Sequence, residues 1–195
     1  MSNIPISVQM TVAESDAAYN MTVEDQIVVN PAPAPTNMIT NGDFSAAGAT
    51  TDGWSPFSPS HSTIAVTDGK LVLTHTVKNN RNYGVKYAIN TQNGHCYLVK
   101  FKLKKTESDD NANAKVVVVS LGNNNTNGIR IGTYQNLTQN SIIESACAIE
   151  ANSDYTELRI GFQASLSTAA SNNSMLELFY VEMYDITDIV SGLEG

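Results

Sequence analysis

Long apolar runs, metal-spaced cysteines and charge are all scarce in this chain of 195 residues. No stretch approaches the roughly 18 to 20 apolar residues that carry a helix across a bilayer, and the N-terminus lacks the basic-then-apolar layout of a signal peptide. Neither membrane insertion nor ordinary secretion is therefore expected. The two cysteines, Cys96 and Cys147, fall in strand-like segments without metal-ligand spacing. They read as buried free thiols rather than a zinc or redox motif, with a single disulfide between them as the alternative. Basic residues number 11 against 19 acids, for a net charge of -8. That balance lacks the basic footprint needed for nucleic acid or an anionic membrane surface. Charged residues make up 15% of the chain, and their place is taken by 21 Asn, 18 Ser and 18 Thr. Such a composition suits turns and strands with uncharged polar outer faces, and it argues against a helical bundle.

The charge is uneven. Residues 1–36 sum to -4 without one Lys or Arg, residues 37–143 to +4, and residues 144–195 to -8. The texture changes at Pro31-Ala32-Pro33-Ala34-Pro35, where alternating prolines favour an extended spacer and forbid continuous strand pairing. The chain thus divides into an arm over residues 1–30, a proline-rich spacer over 31–36 and a domain over 37–195. Within the arm, Gln9 to Glu14 recurs as Asn20 to Asp25, offset by 11 residues. Each copy has strand-like alternation, yet two copies cannot bury a core of their own. An arm that orders by adding strands to a neighbouring subunit or assembly accounts for this pattern, with a solvated tail as the alternative.

From Asn37 onward, strand-length segments alternate with turn signals at the spacing of an all-β, two-sheet antiparallel sandwich. Strands are expected at Asn37 to Phe44, Ile64 to Val66, Lys70 to Lys78, Asn82 to Asn90, Cys96 to Lys104, Lys115 to Leu121, Ile129 to Thr133, Ile142 to Ile149, Glu157 to Ala164 and Met175 to Ile186. Asn41-Gly42, Asp52-Gly53, Asp68-Gly69 and Asn93-Gly94 punctuate them. Tyr97, Val99, Phe101 and Leu103 share one face of their strand while Lys100, Lys102 and Lys104 take the other. Val116 to Val119 is apolar on both faces and reads as a strand covered on both sides.

Asn37-Met38-Ile39-Thr40-Asn41-Gly42-Asp43-Phe44-Ser45, then Gly53-Trp54, then Asp68-Gly69-Lys70-Leu71-Val72-Leu73 resembles the opening of the jelly-roll carbohydrate-binding modules attached to xylanases and glucanases. Tyr83-Gly84-Val85, Gly94 with Tyr97 and Phe101, Leu158 to Phe162 and Leu176 to Tyr184 continue that order, so the resemblance covers residues 37–188. It implies a jelly roll and sugar binding, although modules of this shape also serve adhesion and packing. Family members carry an Asp in the last strand that helps hold a structural calcium. Here that place reads Phe179-Tyr180, leaving Asp43 short of the six to eight oxygens the ion takes. The arm, over Gln9 to Val29, resembles the starts of small structural proteins of phages and prophages of gut bacteria. That resemblance implies a virion component, which reaches the outside by lysis.

Sugar recognition needs aromatic faces for pyranose C–H groups and amides or carboxylates for hydroxyls. The site candidates are Trp54, Tyr83, Tyr87, Tyr134 and Asn136, with Phe57, Arg81, Asn82 and Gln135 behind them. For Trp54 the competing reading is core or rim packing, and the alternation of Tyr83, Val85, Tyr87 and Ile89 points that face toward the core. Tyr134, beside a polar loop, is the least constrained. Catalysis has little support: His61, His75 and His95 are isolated, no Gly-x-Ser-x-Gly elbow occurs, and Glu144, Glu150, Glu157, Glu177 and Glu182 are pairs that any acidic chain would offer. The expectation is a non-catalytic phage virion protein. Its arm would bind other virion proteins and itself, and its jelly roll would touch cell-surface polysaccharide. A free-standing or enzyme-linked carbohydrate-binding module and a purely structural assembly protein are the alternatives.

Overall fold

The computed structural model describes residues 34–75, 83–106, 116–123, 126–162 and 174–191. The arm with its repeat, Pro31 to Pro33 of the spacer, and Val77, Arg81 and Asn82 lie outside the described residues. Among the described residues ten strands follow in chain order: β1 (Trp54–Pro56), β2 (Ser62–Thr67), β3 (Lys70–His75), β4 (Gly84–Ala88), β5 (Cys96–Lys105), β6 (Val117–Asn123), β7 (Thr126–Tyr134), β8 (Ile142–Glu150), β9 (Glu157–Phe162) and β10 (Ser174–Asp185). A short helix, α1 (Thr187–Ser191), follows. They form two five-stranded sheets, ordered β1-β4-β9-β6-β7 and β2-β3-β10-β5-β8, with antiparallel pairing throughout. This is the expected antiparallel β-sandwich of jelly-roll type.

The two inner faces meet in one core. Val85 and Tyr87 of β4, Leu158 and Ile160 of β9, and Val117, Val119 and Leu121 of β6 pack against Leu71 and Leu73 of β3, Tyr97, Val99, Phe101 and Leu103 of β5 and Leu178, Val181 and Met183 of β10. Alternation in β5 is complete: Tyr97, Val99, Phe101 and Leu103 are buried while Lys100, Lys102 and Lys104 face outward. β6 is buried on both faces, since Val118 is 6% and Ser120 2% exposed on the side away from the core. The β2–β3 hairpin turns at Asp68-Gly69, both in the left-handed region, which is the backbone a two-residue turn between twisted strands requires.

Two departures from the sequence reading have local causes. Asn37 to Phe44 is not a continuous strand; it touches β10 through isolated bridges, Asn37 to Tyr184 and Asp43 to Tyr180. The Asn41-Gly42 turn interrupts it, and Gly42 lies so close to β10 that a Cβ there would sit 1.9 Å from the Val181 carbonyl oxygen. β1 forms where no strand was expected, because an edge strand of three residues tolerates Pro56, which pairs with Val85. β10 carries a bulge: Leu178 faces Leu103 and Tyr180 faces Lys102. Phe179 is the extra residue, so Phe179 and Tyr180 both lie on the outward face.

Candidate functional site

Four of the five sequence candidates turn inward. Trp54 is 6% exposed, its Nε1 donates to the Asn41 carbonyl at 2.8 Å, and its ring meets Phe44 and Tyr87 edge-on with centroids 5.7 and 5.0 Å away. Tyr83 and Tyr87 are core residues, and the Tyr87 hydroxyl lies 3.1 Å from Thr40 Oγ1. Tyr134 is half-buried, edge-on to Phe101, with its hydroxyl 3.4 Å from Cys147 Sγ. Burial, reinforced by the thiol contact, pushes its pKa up to about 12. Only Asn136 stands in solvent, in the β7–β8 loop at a left-handed φ of 58°. Rings as enclosed as those of Trp54, Tyr83 and Tyr87 offer no face to a pyranose, so these three secure the sandwich, while Tyr134 is partly exposed. Cys96 and Cys147 are both free, and half-buried rather than buried.

A different constellation lies on the outer face of the β1-β4-β9-β6-β7 sheet. Register places Ser55 of β1, Lys86 of β4, Arg159 of β9, Ser120 of β6 and Arg130 of β7 in one line across it. Beside that line lie Ala88 and Glu157 on one side and the facing glycines Gly84 and Gly161 on the other. Without side chains at these two positions, Phe57 packs on the strand backbone; a Cβ on Gly84 would lie 2.4 Å from the Phe57 ring. The Phe57 ring in turn stacks on the Arg159 guanidinium, 4.3 Å from its centroid. Glu157 Oε1 accepts from Lys86 Nζ at 2.6 Å, and its Oε2 lies 3.9 Å from Arg159 Nε. Arg159 is 4% exposed, and burial draws its pKa down while the charge of Glu157 opposes the shift. A recess of about 250 Å³ opens here, lined by Gly53, Ser55, Lys86, Ala88, Thr156 and Glu157.

Burying charge on a sheet face away from the core costs stability unless each group is paired. Here the pairing fixes donors and an acceptor on rigid strands beside a cavity. Such an arrangement can accept and donate hydrogen bonds to hydroxyls. Of its members, only Phe57 and Glu157 stand out in the sequence as functional candidates. Lys86 and Arg159 stand 73 positions apart in the chain and become neighbours only through the β4–β9 register.

The outer face of the other sheet is laced with its own pairs. Lys70 meets Glu177 at 3.0 Å, Lys102 meets Glu144 at 2.9 Å, and Lys100 meets Glu182 at 3.9 Å, while Lys70 and Lys102 flank the Phe179 ring. Most of the carboxylates considered for catalysis are thus engaged by lysines. His95 Nδ1 lies 2.8 Å from Asp185 Oδ2, and His61 Nδ1 lies 2.7 Å from Ser60 Oγ. The side chain of His75 lies outside the described residues. At the calcium position, Asp43 Oδ1 accepts from the Ser45 amide and hydroxyl at 3.0 and 2.7 Å. These bonds hold the Asp43 carboxyl below its ordinary pKa. Tyr180 of β10 stands opposite Asp43.

No protein family matches the chain by sequence, and no curated protein does. Solved structures resemble it in fold. An arabinose-bound GH51 α-L-arabinofuranosidase superposes with a TM-score of 0.54 at 11% identity, over 76% of this chain and 26% of that one. The chain therefore spans about a quarter of that enzyme's length. The ligand-free CBM1 module of the xylanase BiXyn10A matches at a TM-score of 0.45 and 16% identity, over 73% and 94% of the two chains. A family 29 carbohydrate-binding module variant in complex with mannohexaose matches at 0.49 and 10% identity, over 77% and 91%. At these identities the likeness is one of fold.

Proposed function

We propose that the chain is a non-catalytic carbohydrate-binding protein whose sugar site is the outer face of the β1-β4-β9-β6-β7 sheet. The observation that carries this reading is the recess between β1, β4 and β9, where Lys86 and Glu157 are held together beside the stacked pair of Phe57 and Arg159. Polar groups fixed on rigid strands around a small cavity, with an aromatic ring at hand, are what a pyranose requires. No calcium takes part. The sandwich is displayed on a phage particle, outside the cell, with residues 1–36 binding other virion proteins and further copies of the chain. The repeated strand-like segments and the proline spacer of that arm support this placement. A free carbohydrate-binding module uses the same face but has no need of the arm.

Retention of the full chain on a panel of immobilised polysaccharides, with and without EDTA, tests the site. Binding to at least one polysaccharide, insensitive to EDTA and lost in Phe57→Ala and Lys86→Gln under conditions where circular dichroism shows both variants folded, is expected. Silence across the panel, or binding untouched by both substitutions, would overturn the assignment. Light scattering of the chain with and without residues 1–36 tests the arm. An oligomer that becomes a monomer on deletion is expected, and equal masses would refute it.

A further inference from the structure

The charge of this face is opposite to that of the chain. Of the described strand residues that point outward on the β1-β4-β9-β6-β7 sheet, Lys86, Arg159 and Arg130 are cationic and Glu157 alone is anionic, in a protein of net charge -8. Lys86 and Arg159 face one another directly across the β4–β9 ladder, a juxtaposition that destabilises a sheet when like charges meet. Arg130 lies farther along the same row, opposite Ser120, and is exposed. It makes no ion pair among the described residues. The row crosses three strand spacings from β4 to β7, roughly 14 Å at about 4.8 Å each. That distance exceeds the span of one small anion.

Resting on the carbohydrate-binding reading above, we propose that this face selects acidic polysaccharides, chains bearing uronate carboxylates, over neutral ones, with Arg130 as a specificity-determining residue. A neutral glycan gives no reason to align three cations on one sheet face. A polymer with regularly spaced carboxylates does, because the row presents it with a local positive field and the exposed Arg130 guanidinium offers a planar fork that matches a carboxylate, while Arg159, 4% exposed beneath Phe57, contributes charge alone. The local cations also allow a polyanion to approach a protein whose overall charge repels it. Lys86 keeps its bond to Glu157 at the recess, while Arg130 meets a carboxylate of the polysaccharide.

The full chain is assayed by affinity electrophoresis against polygalacturonate, alginate and hyaluronate, and against neutral galactan, xylan and mannan. At least one acidic chain should bind about tenfold more tightly than any neutral one at low salt. That advantage should shrink between about 50 and about 500 mM salt as the charges are screened. Arg130→Gln should abolish most of it, and Arg130→Glu should reverse it, both with unchanged thermal midpoints because the side chain is exposed. Equal binding of acidic and neutral chains, or neutral binding alone, would overturn the selectivity and leave the sugar site standing. Acidic preference unaltered in both Arg130 variants would overturn the role of that residue. Silence on every polysaccharide would overturn the sugar site itself.

Discussion

Trp54 is the residue on which a core role and a ligand-platform role differ most sharply, so its replacement has a calculable outcome. Trp54→Ala removes a ring that is 6% exposed, together with its edge-on contacts to Phe44 and Tyr87 and its hydrogen bond to the Asn41 carbonyl. Large aromatic-to-alanine changes in a core cost about 3–5 kcal/mol. The two ring pairs, at about 0.5–1.5 kcal/mol each beyond area burial, place this site in the upper part of that range. Trp54→Phe keeps most of the packing and loses chiefly the indole hydrogen bond, for about 1–2 kcal/mol. With an m-value of about 2 kcal/mol/M in urea, midpoints should fall by roughly 2 M for the alanine variant and roughly 0.5–1 M for phenylalanine. Because Trp54 is the only tryptophan, unfolding has to be followed by far-UV circular dichroism rather than by indole fluorescence. An alanine variant that melts within about 0.5 M of the parent but no longer holds polysaccharide would refute the core assignment.

Gly161→Ala should cost about 1–3 kcal/mol through overpacking, because its Cβ would sit 2.4 Å from the Tyr83 carbonyl oxygen and 2.7 Å from the Phe57 ring; urea melts unchanged from the parent would show that the floor yields. Tyr134, whose pKa rises from 10.0 to about 12, contributes stability that is complete below pH 10 and is lost as the pH climbs toward 12. Tyr134→Phe should therefore flatten the alkaline limb of the stability profile, and an unchanged limb would exclude the buried phenol as its cause. Asp185 is held below its ordinary value of 3.8 because hydrogen bonds from Thr187 and His95 outweigh the opposing effect of burial. Its contribution is present above about pH 4 and disappears as the pH falls through the lowered value. Asp185→Asn should accordingly be less stable at neutral pH, with the difference from the parent closing in acid; a constant difference would argue against the ionised carboxylate.

The elements legible from the sequence are those whose faces differ chemically. The Lys100, Lys102 and Lys104 series against Tyr97, Val99, Phe101 and Leu103 fixes β5 by alternation alone, and the unbroken valines of β6 announce a strand covered on both sides. What resisted was decided at longer range. Asn37 to Phe44 has strand-like residues, yet its close approach to β10 at Gly42 leaves only isolated bridges. Trp54 after a glycine resembles a sugar platform until Phe44, brought alongside by the turns before β1, closes over it. The candidate site was hidden for a related reason. Lys86 and Arg159 are ordinary surface residues in one dimension, and only the pairing of β4 with β9 sets them side by side with Glu157 between.

The bridge between Asn37 and Tyr184 has a further meaning for how such a domain is used. The Met38 amide donates to the Met183 carbonyl at 2.7 Å, so the first and last extended segments of the described sandwich run side by side at one end. Chain entering at residue 37 and leaving after residue 185 does so through neighbouring points. A unit with adjacent ends can be spliced into a surface loop of another protein without stretching its host, and it can be circularly permuted by a short join.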